Sequence, residues 1–324
     1  MPHGKSASLT VATYNIHKGF SHFNRRIVVH DMRERLRMMG ADIVFLQEVV
    51  GHNTKHVERH EAWPDAPQHE FLAETQWPAA AYAGNAVYED GHHGNAILSR
   101  FPMIRCDHED ISTNRFEQRG LLHAEIEIPG WPANLHCVCV HLGLFGRSRR
   151  KQVEAVCARI NTLVPKDAPL ILAGDFNDWR HRAGDPLGEI DAHEVFETTR
   201  GRPARSFPAR LPILRLDRIY VRGFHVQSAQ VHRGRDWSRL SDHAPLAANL
   251  VLATSGQTVW LALLALQLAF YLLAGAGHLA GRSGSVPRAL RLPVFFVSMN
   301  MALLIGYFRY LGGGYSGAWS RSAR

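Results

Sequence analysis

Leu170-Ile171-Leu172-Ala173-Gly174-Asp175-Phe176-Asn177-Asp178 is an apolar run that ends abruptly in acids and an amide. Four apolar residues stopped by a glycine read as a short buried strand. A helical spacing over residues 149–163 precedes it. The same order recurs nearer the start: helical spacing over 28–39, an apolar strand over 41–46, then Glu48. A carboxylate is rarely left at the edge of a core unless something pairs with it. Four other segments set polar groups against strand-like runs: Thr13-Tyr14-Asn15-Ile16-His17, Val140-His141-Leu142, Leu216-Asp217-Arg218-Ile219-Tyr220 and Ser241-Asp242-His243. Six such junctions predict one shared polar site around a divalent cation. Amide and carboxylate oxygens suit a hard ion such as Mg²⁺ or Mn²⁺, and the two histidines suit phosphate contact or proton transfer.

The ordered set of Asn15, Gln47-Glu48, His141, Gly174-Asp175-Phe176-Asn177, Leu216-Asp217 and Ser241-Asp242-His243 resembles the endonuclease/exonuclease/phosphatase superfamily of metal-dependent phosphoesterases. Gly94-Asn95-Ala96-Ile97-Leu98-Ser99-Arg100-Phe101-Pro102 resembles its segment between the glutamate and the first histidine. The resemblance covers about residues 8–252. Asn15-Ile16-His17-Lys18-Gly19 and Gly174 to Trp179 look most like a bacterial branch whose substrate is poorly defined. The pattern of short strands and helices is α/β or α+β. The resemblance sharpens it to a four-layer sandwich, two mixed sheets packed face to face with helices outside. Residues 121–128 and 135–142 predict a hairpin turning at Gly130-Trp131-Pro132. The polar stretches 51–67 and 179–188 read as loops that rim the site.

The resemblance also assigns roles. Glu48, Asn15 (through its carbonyl oxygen) and Asp242 correspond to the metal site, and Asp175 to the group that activates water. Asn177 corresponds to a donor for the oxygen that gains charge. An Asx-turn would also explain Asp175, and Asp178 reads as a cap for the next turn. His243 corresponds to a phosphate contact charged and oriented by Asp217, and His141 to a second histidine on the phosphate or leaving-group side. His17 stands where several nucleases of the superfamily have an acid, which weighs against a second metal. Arg119 reads equally as a phosphate clamp or a salt bridge. Asn95 and His17 are expected near the substrate, and His92-His93 near the pocket. The series His52, His56, His60 reads as solvated.

Of 37 basic residues, six are arginines within 256–324, a stretch with no acid. The remaining 31 face 29 acids, a net of +2 that offers no general grip on duplex DNA. Arg147, Arg149, Arg150 and Lys151 read as a solvated helix start. Cys137 and Cys139 alternate on one strand face and read as small core residues, and four cysteines without a paired spacing fit a reducing compartment. No secretory signal is legible in residues 1–9.

Three parts are expected: a catalytic domain over 1–253, a linker over 254–257 and a membrane-anchoring tail over 258–324. The tail carries two apolar helices, at about 258–280 and 292–310, forming a transmembrane hairpin. Trp260, Tyr271, Tyr307, Tyr310 and Trp319 suit the interfaces. An amphipathic hairpin packed on the soluble domain is the alternative, but residues 258–280 lack a polar face. The leading expectation is a Mg²⁺-dependent phosphoesterase on the inner membrane, its catalytic domain in the cytoplasm. Its substrate would be a phospholipid or a small phosphodiester. An anchored nuclease comes second, since nucleic acid is not favoured by the charge. A non-catalytic scaffold on the same fold is a third reading.

Overall fold

The computed structural model describes residues 8–22, 25–179, 184–253, 257–282 and 284–312. The chain divides into two compact units, Met1–Ala253 and Thr254–Arg324. Strands of the first unit are β1 (Ser8–Asn15), β2 (Ile43–Asn53), β3 (Ala79–Tyr88), β4 (Gly91–Ser99), β5 (Met103–Asp110), β6 (Gly120–Ile126) and β7 (Leu135–His141). They continue as β8 (Leu170–Asp175), β9 (His193–Glu194), β10 (Asp217–Arg222), β11 (Phe224–Val231) and β12 (Leu246–Leu252). Helices are α1 (Val29–Met39), α2 (Thr54–Arg59), α3 (Gln68–Ala73), α4 (Gly146–Leu163), α5 (Gly184–Gly188) and α6 (Val195–Arg200).

Two six-stranded mixed sheets stack, ordered β11-β12-β1-β2-β4-β3 and β5-β6-β7-β8-β10-β9. Strand alternation builds the layers. Val11, Phe45, Cys137, Cys139, Ile171 and Ile219 point between the sheets and form the central core. On the opposite face of β1 and β2, Ala12, Tyr14, Val44 and Leu46 pack against Val29, Met32 and Leu36 of α1. Val138 and Leu172 do the same against Val153, Val156 and Ile160 of α4. The architecture is therefore the four-layer sandwich expected. Cys137 and Cys139 are buried there as free thiols.

Each sheet holds one parallel pair at its centre, and this feature positions the site. β1 runs parallel to β2 with Asn15 opposite Gln47. β7 runs parallel to β8 with His141 opposite Asp175. β10 lies antiparallel to β8 with Asp217 opposite Asp175. Parallel neighbours finish at the same sheet edge, so polar residues that end separate strands gather without any long side chain reaching across. Gly174 makes the closest approach. At its φ of +151°, a Cβ would meet the Val140 carbonyl at 1.9 Å, so only glycine lets β7 and β8 pair where the site begins.

Three boundaries differ from the sequence reading. β2 continues to Asn53, and α2 occupies part of the expected loop 51–67. Asn53 caps α2 by accepting from the His56 N–H at 2.9 Å. His56 and His60 are not solvated as a pair; their rings lie 5.1 and 5.8 Å from that of Phe20, in a small satellite core with Trp63. The expected loop 179–188 lies partly outside the described residues, and its described end forms α5.

The second unit is a pair of helices, α7 (Gln257–Arg282) and α8 (Arg288–Leu311). Both are long and apolar enough to cross a membrane. The helix α8 starts four residues earlier than expected. Pro287 stands just ahead of it, and Arg288 and Arg291 continue it, as good helix formers do. Gly277 lets α8 come close, since a Cβ there would sit 2.5 Å from Val294 Cγ2. Phe270 and Phe296 pack edge to face at 5.7 Å. Trp319 lies outside the described residues.

Candidate active site

Glu48 interrupts β2. The register with β4 shifts between Leu46 and Val49, and Glu48 takes φ +57°. A bulge of this kind re-aims one side chain out of the alternation. Gln47 points into the core, where its amide reaches Thr13 Oγ1 at 3.2 Å, while Glu48 is thrown to the edge beside Asn15. Left-handed non-glycine residues are uncommon and costly, and they concentrate where function holds them. Four of the six such residues among those described are His17, Lys18, Glu48 and Asn177. The sequence gives little sign of this, since no glycine marks the four positions.

Asn15 lies between the acids. Its Nδ2 is 3.4 Å from Glu48 Oε1 and 3.2 Å from Asp175 Oδ2, and its Oδ1 accepts the His17 N–H at 3.1 Å. The amide thus faces the acids through nitrogen rather than through the oxygen expected. Asp242 joins from the C-terminal segment, its Oδ1 3.4 Å from His17 Nδ1, which is also 3.9 Å from Glu48 Oε2. Ser241 Oγ donates to the Asn15 carbonyl at 2.7 Å and binds that segment to β1. Among the described residues neither Glu48 nor Asp242 has a lysine or arginine partner. Two carboxylates answered only by one histidine form an oxygen-rich, undercompensated pocket. That donor set fits a hard divalent cation.

Beside it stands a second cluster. His243 Nδ1 is 2.9 Å from Asp217 Oδ2, and its Nε2 is 3.7 Å from Asp175 Oδ2. Burial pulls the imidazole pKa down, but Asp217 and Asp175 outweigh burial and lift it to about 10, so His243 is a cation at neutral pH. Burial raises the Asp175 carboxyl to about 6, with His243 opposing and Asp217 adding to the rise. His141 Nε2 is 3.6 Å from Asp175 Oδ2. Its pKa is pushed well down, by burial first and then by Arg119 and His243, so it stays neutral. Donor atoms of Asp175, Asp217 and His243 all lie within 4.8 Å of one another, a spacing a metal would also tolerate. Both His243 nitrogens face carboxylates, however, and that arrangement is one of proton sharing.

Asp175 Oδ1 accepts the Asn177 N–H at 2.9 Å, so the Asx-turn and the site are one structure. Asn177 Nδ2 donates to the Leu142 carbonyl at 2.9 Å, which fixes the amide. Asp178 does not simply cap a turn: its Oδ1 lies 3.6 Å from the guanidinium of Arg149. Arg149 is buried, contrary to the solvated helix start expected, and also donates to the Gly143 and Leu144 carbonyls. The signal was present in the stripe Arg149, Gln152, Val153, Val156, Cys157 and Ile160, which is the buried face of α4. Buried Arg218 likewise braces the Asp178 carbonyl at 3.0 Å and was missed.

Arg119 makes the salt bridge that was one of its two expected characters. It pairs with Glu117 at 3.4 Å and donates through Nε to the Leu142 carbonyl at 3.2 Å, and it lines a cleft with Glu48 and His141. His93 lines that cleft too. Asn95 is brought elsewhere: it is fully buried and donates to the Gly120 carbonyl at 2.9 Å. It is a strut between β4 and β6, not a substrate contact.

A fold of two stacked mixed sheets, with acids, amides and histidines converging at one edge, defines a class. Residues 12–243 match the endonuclease/exonuclease/phosphatase family, and the chain belongs to it. Members of that family are phosphoester hydrolases that typically use divalent metals. The uncharacterized protein YbhP of Escherichia coli strain K12 is 46% identical over 246 residues, a match covering 76% of this chain and 97% of that protein. The crystal structure of an endonuclease/exonuclease/phosphatase from Beutenbergia cavernae superposes with a TM-score of 0.60 at 19% identity, over 76% of this chain and 72% of that one. The mannosyl-6-phosphatase Bt3783 of Bacteroides thetaiotaomicron gives a TM-score of 0.56 at 19% identity, over 75% of this chain and all of that one. At such identities the two structures speak for the fold alone.

Proposed function

We propose that the chain is a metal-dependent phosphodiester hydrolase anchored to the inner membrane by its second unit, with the catalytic unit in the cytoplasm. The observation that carries this is the pairing of two clusters from separate strands: undercompensated Glu48 and Asp242 beside Asn15, and His243 held between Asp217 and Asp175. A Mg²⁺ or Mn²⁺ ion held by Glu48 and Asp242, with Asn15 joining through Oδ1 only if its amide turned over, would neutralise charge on the phosphoryl oxygens. Asp175, with Oδ1 fixed by the Asn177 N–H, turns Oδ2 toward Asn15, His141 and His243, and that oxygen would take a proton from the attacking water. Protonated His243 donates to a phosphoryl oxygen, and Asp217 holds its ring in place. Asn177 Nδ2 gives one N–H to the Leu142 carbonyl, and its second N–H would serve as the other donor. His141, neutral, stands across Asp175, on the side of the phosphate or the leaving group.

Asp217 and His243 are expected to act as a unit. Asp217→Ala and His243→Ala should each cut kcat/KM sharply, and the double variant should lose little more than the worse single one. Fully additive losses would separate the two residues.

A lipid substrate is supported by the site's surroundings. Phe116, Leu144, Phe145, Trp179, Leu211 and Ile213 are all exposed on loops at this edge. The Leu144 N–H donates to Glu117 at 2.7 Å, Arg149 stands over Trp179 at 5.2 Å, and Phe207, on the same loop as Leu211, lies 5.0 Å from His243. An apolar rim on an active-site mouth suits a bilayer surface. The YbhP match supports the two-part division, because that protein is nearly used up by it while a quarter of this chain remains. Full-length protein should therefore resist carbonate and high-salt extraction and come out only in detergent. A chain ending at Ala253 should be soluble and still hydrolyse small phosphodiesters. Release by carbonate alone would make the tail peripheral, and a soluble but inactive fragment would make it part of the site.

A further inference from the structure

Next to the catalytic groups lies a cleft of about 390 Å³, bounded by Lys18, Arg115 and Arg119 and by the rings of Tyr88 and Phe116, with Glu48 and His141 on the catalytic side. The volume is that of a small ring with its substituents. Its walls are braced. Asn114 Oδ1 accepts the N–H groups of both Phe116 and Glu117 at 3.0 Å, which fixes the loop carrying Arg115. Gln118 Oε1 accepts the Val87 N–H at 2.9 Å and fastens that loop to β3. The Lys18 carbonyl accepts from Gln68 Nε2 at 2.9 Å, which holds Lys18 in its left-handed conformation. The Arg115 guanidinium lies over the Phe116 ring at 4.8 Å, and a stacked guanidinium still offers the N–H groups on its edge to an anion.

The charges are unbalanced. Among the described residues Lys18 and Arg115 have no carboxylate within ion-pair distance, and Arg119 shares one with Glu117. A phosphodiester carries a single negative charge, which His243 and a bound cation already answer. Two further free cations exceed what the scissile group needs.

We propose that the cleft binds a second phosphate on the organic part of the substrate, so that the preferred substrate is an ester of a phosphorylated sugar or polyol, either free or as a lipid headgroup. This assignment rests on the phosphoesterase reading and specifies its substrate. Arg115 and Lys18 hold the second phosphate, while Tyr88 and Phe116 flank the ring that carries it.

The test is calorimetric titration of the full chain in detergent micelles with Mg²⁺ present. One pair of probes is fructose 1,6-bisphosphate and fructose 6-phosphate. The other is micelles doped with phosphatidylinositol 4-phosphate or with phosphatidylinositol. In one pair or both, the member with the extra phosphate should bind at least about tenfold tighter, and the pair that does so identifies the source. Arg115→Gln and Lys18→Asn should each reduce that preference at least about threefold. Asparagine suits the left-handed backbone at position 18, and Arg115 is exposed, so both variants should keep the wild-type circular dichroism. Equal affinities within each pair, or a preference unchanged in Arg115→Gln, would overturn the proposal. A 5′-phosphorylated thymidine dinucleotide binding tenfold tighter than every other probe would overturn it in favour of a nucleic-acid strand. A clear preference without hydrolysis of any phosphoester would sink the catalytic reading and spare the cleft; hydrolysis without preference would do the reverse.

Discussion

Asp175→Asn should leave the catalytic unit folded and slow phosphoester hydrolysis by about 100-fold or more, the usual scale for losing a general base. The substitution keeps the Oδ1 that accepts the Asn177 N–H and so preserves the turn. It removes the carboxylate oxygen that faces Asn15, His141 and His243. Burying a neutral amide also costs less than burying a carboxylate, so stability should hold. The effect should fall on kcat, with metal affinity nearly unchanged. Circular dichroism separates the alternatives: loss of the folded spectrum would make Asp175 a structural residue.

Glu48→Gln should lower metal affinity by at least about tenfold and turnover with it. Changes to residues that merely support a metal ligand already cost about 10- to 100-fold, and Glu48 is proposed as a direct one. The glutamine matches the glutamate in shape and can keep the bulge at φ +57°. The folded structure should therefore survive. Removing the charge leaves Asp242, among the described residues, as the one carboxylate paired with His17, while Asn15 keeps only Asp175. Metal titration of the variant at wild-type affinity would remove Glu48 from the site.

Much of this arrangement was legible because the central strands are apolar runs that stop at polar residues. β1, β2, β7 and β8 could be read that way, and the parallel pairing of each couple then brings Asn15, Glu48, His141 and Asp175 to one edge. Pairing across the chain was not legible, as in the placing of β4 between β2 and β3, because register depends on contacts distant in sequence. The bulge at Glu48 was hidden for a different reason. Its left-handed backbone is held by the surrounding sheet and not by local preference, and the residue itself gives no warning. Arg149 was misread because its neighbours Arg147, Arg150 and Lys151 suggest a charged surface, whereas one position in helical phase with Val153 and Val156 faces inward. Asn95 looked like a site residue from its neighbours, yet on β4 it faces the second sheet.

The central claim is that this edge hydrolyses phosphoesters with a divalent cation. Its most direct test is turnover of the purified protein on a panel of phospholipids, inositol phosphates, small phosphodiesters and single- and double-stranded DNA, with EDTA and then with excess Mg²⁺ or Mn²⁺. The account predicts that phosphodiester hydrolysis stops in EDTA and returns with the metal, and that with metal restored Asp175→Asn stays about 100-fold or more slower. Hydrolysis indifferent to EDTA, or no turnover of any phosphoester at saturating metal, would contradict it.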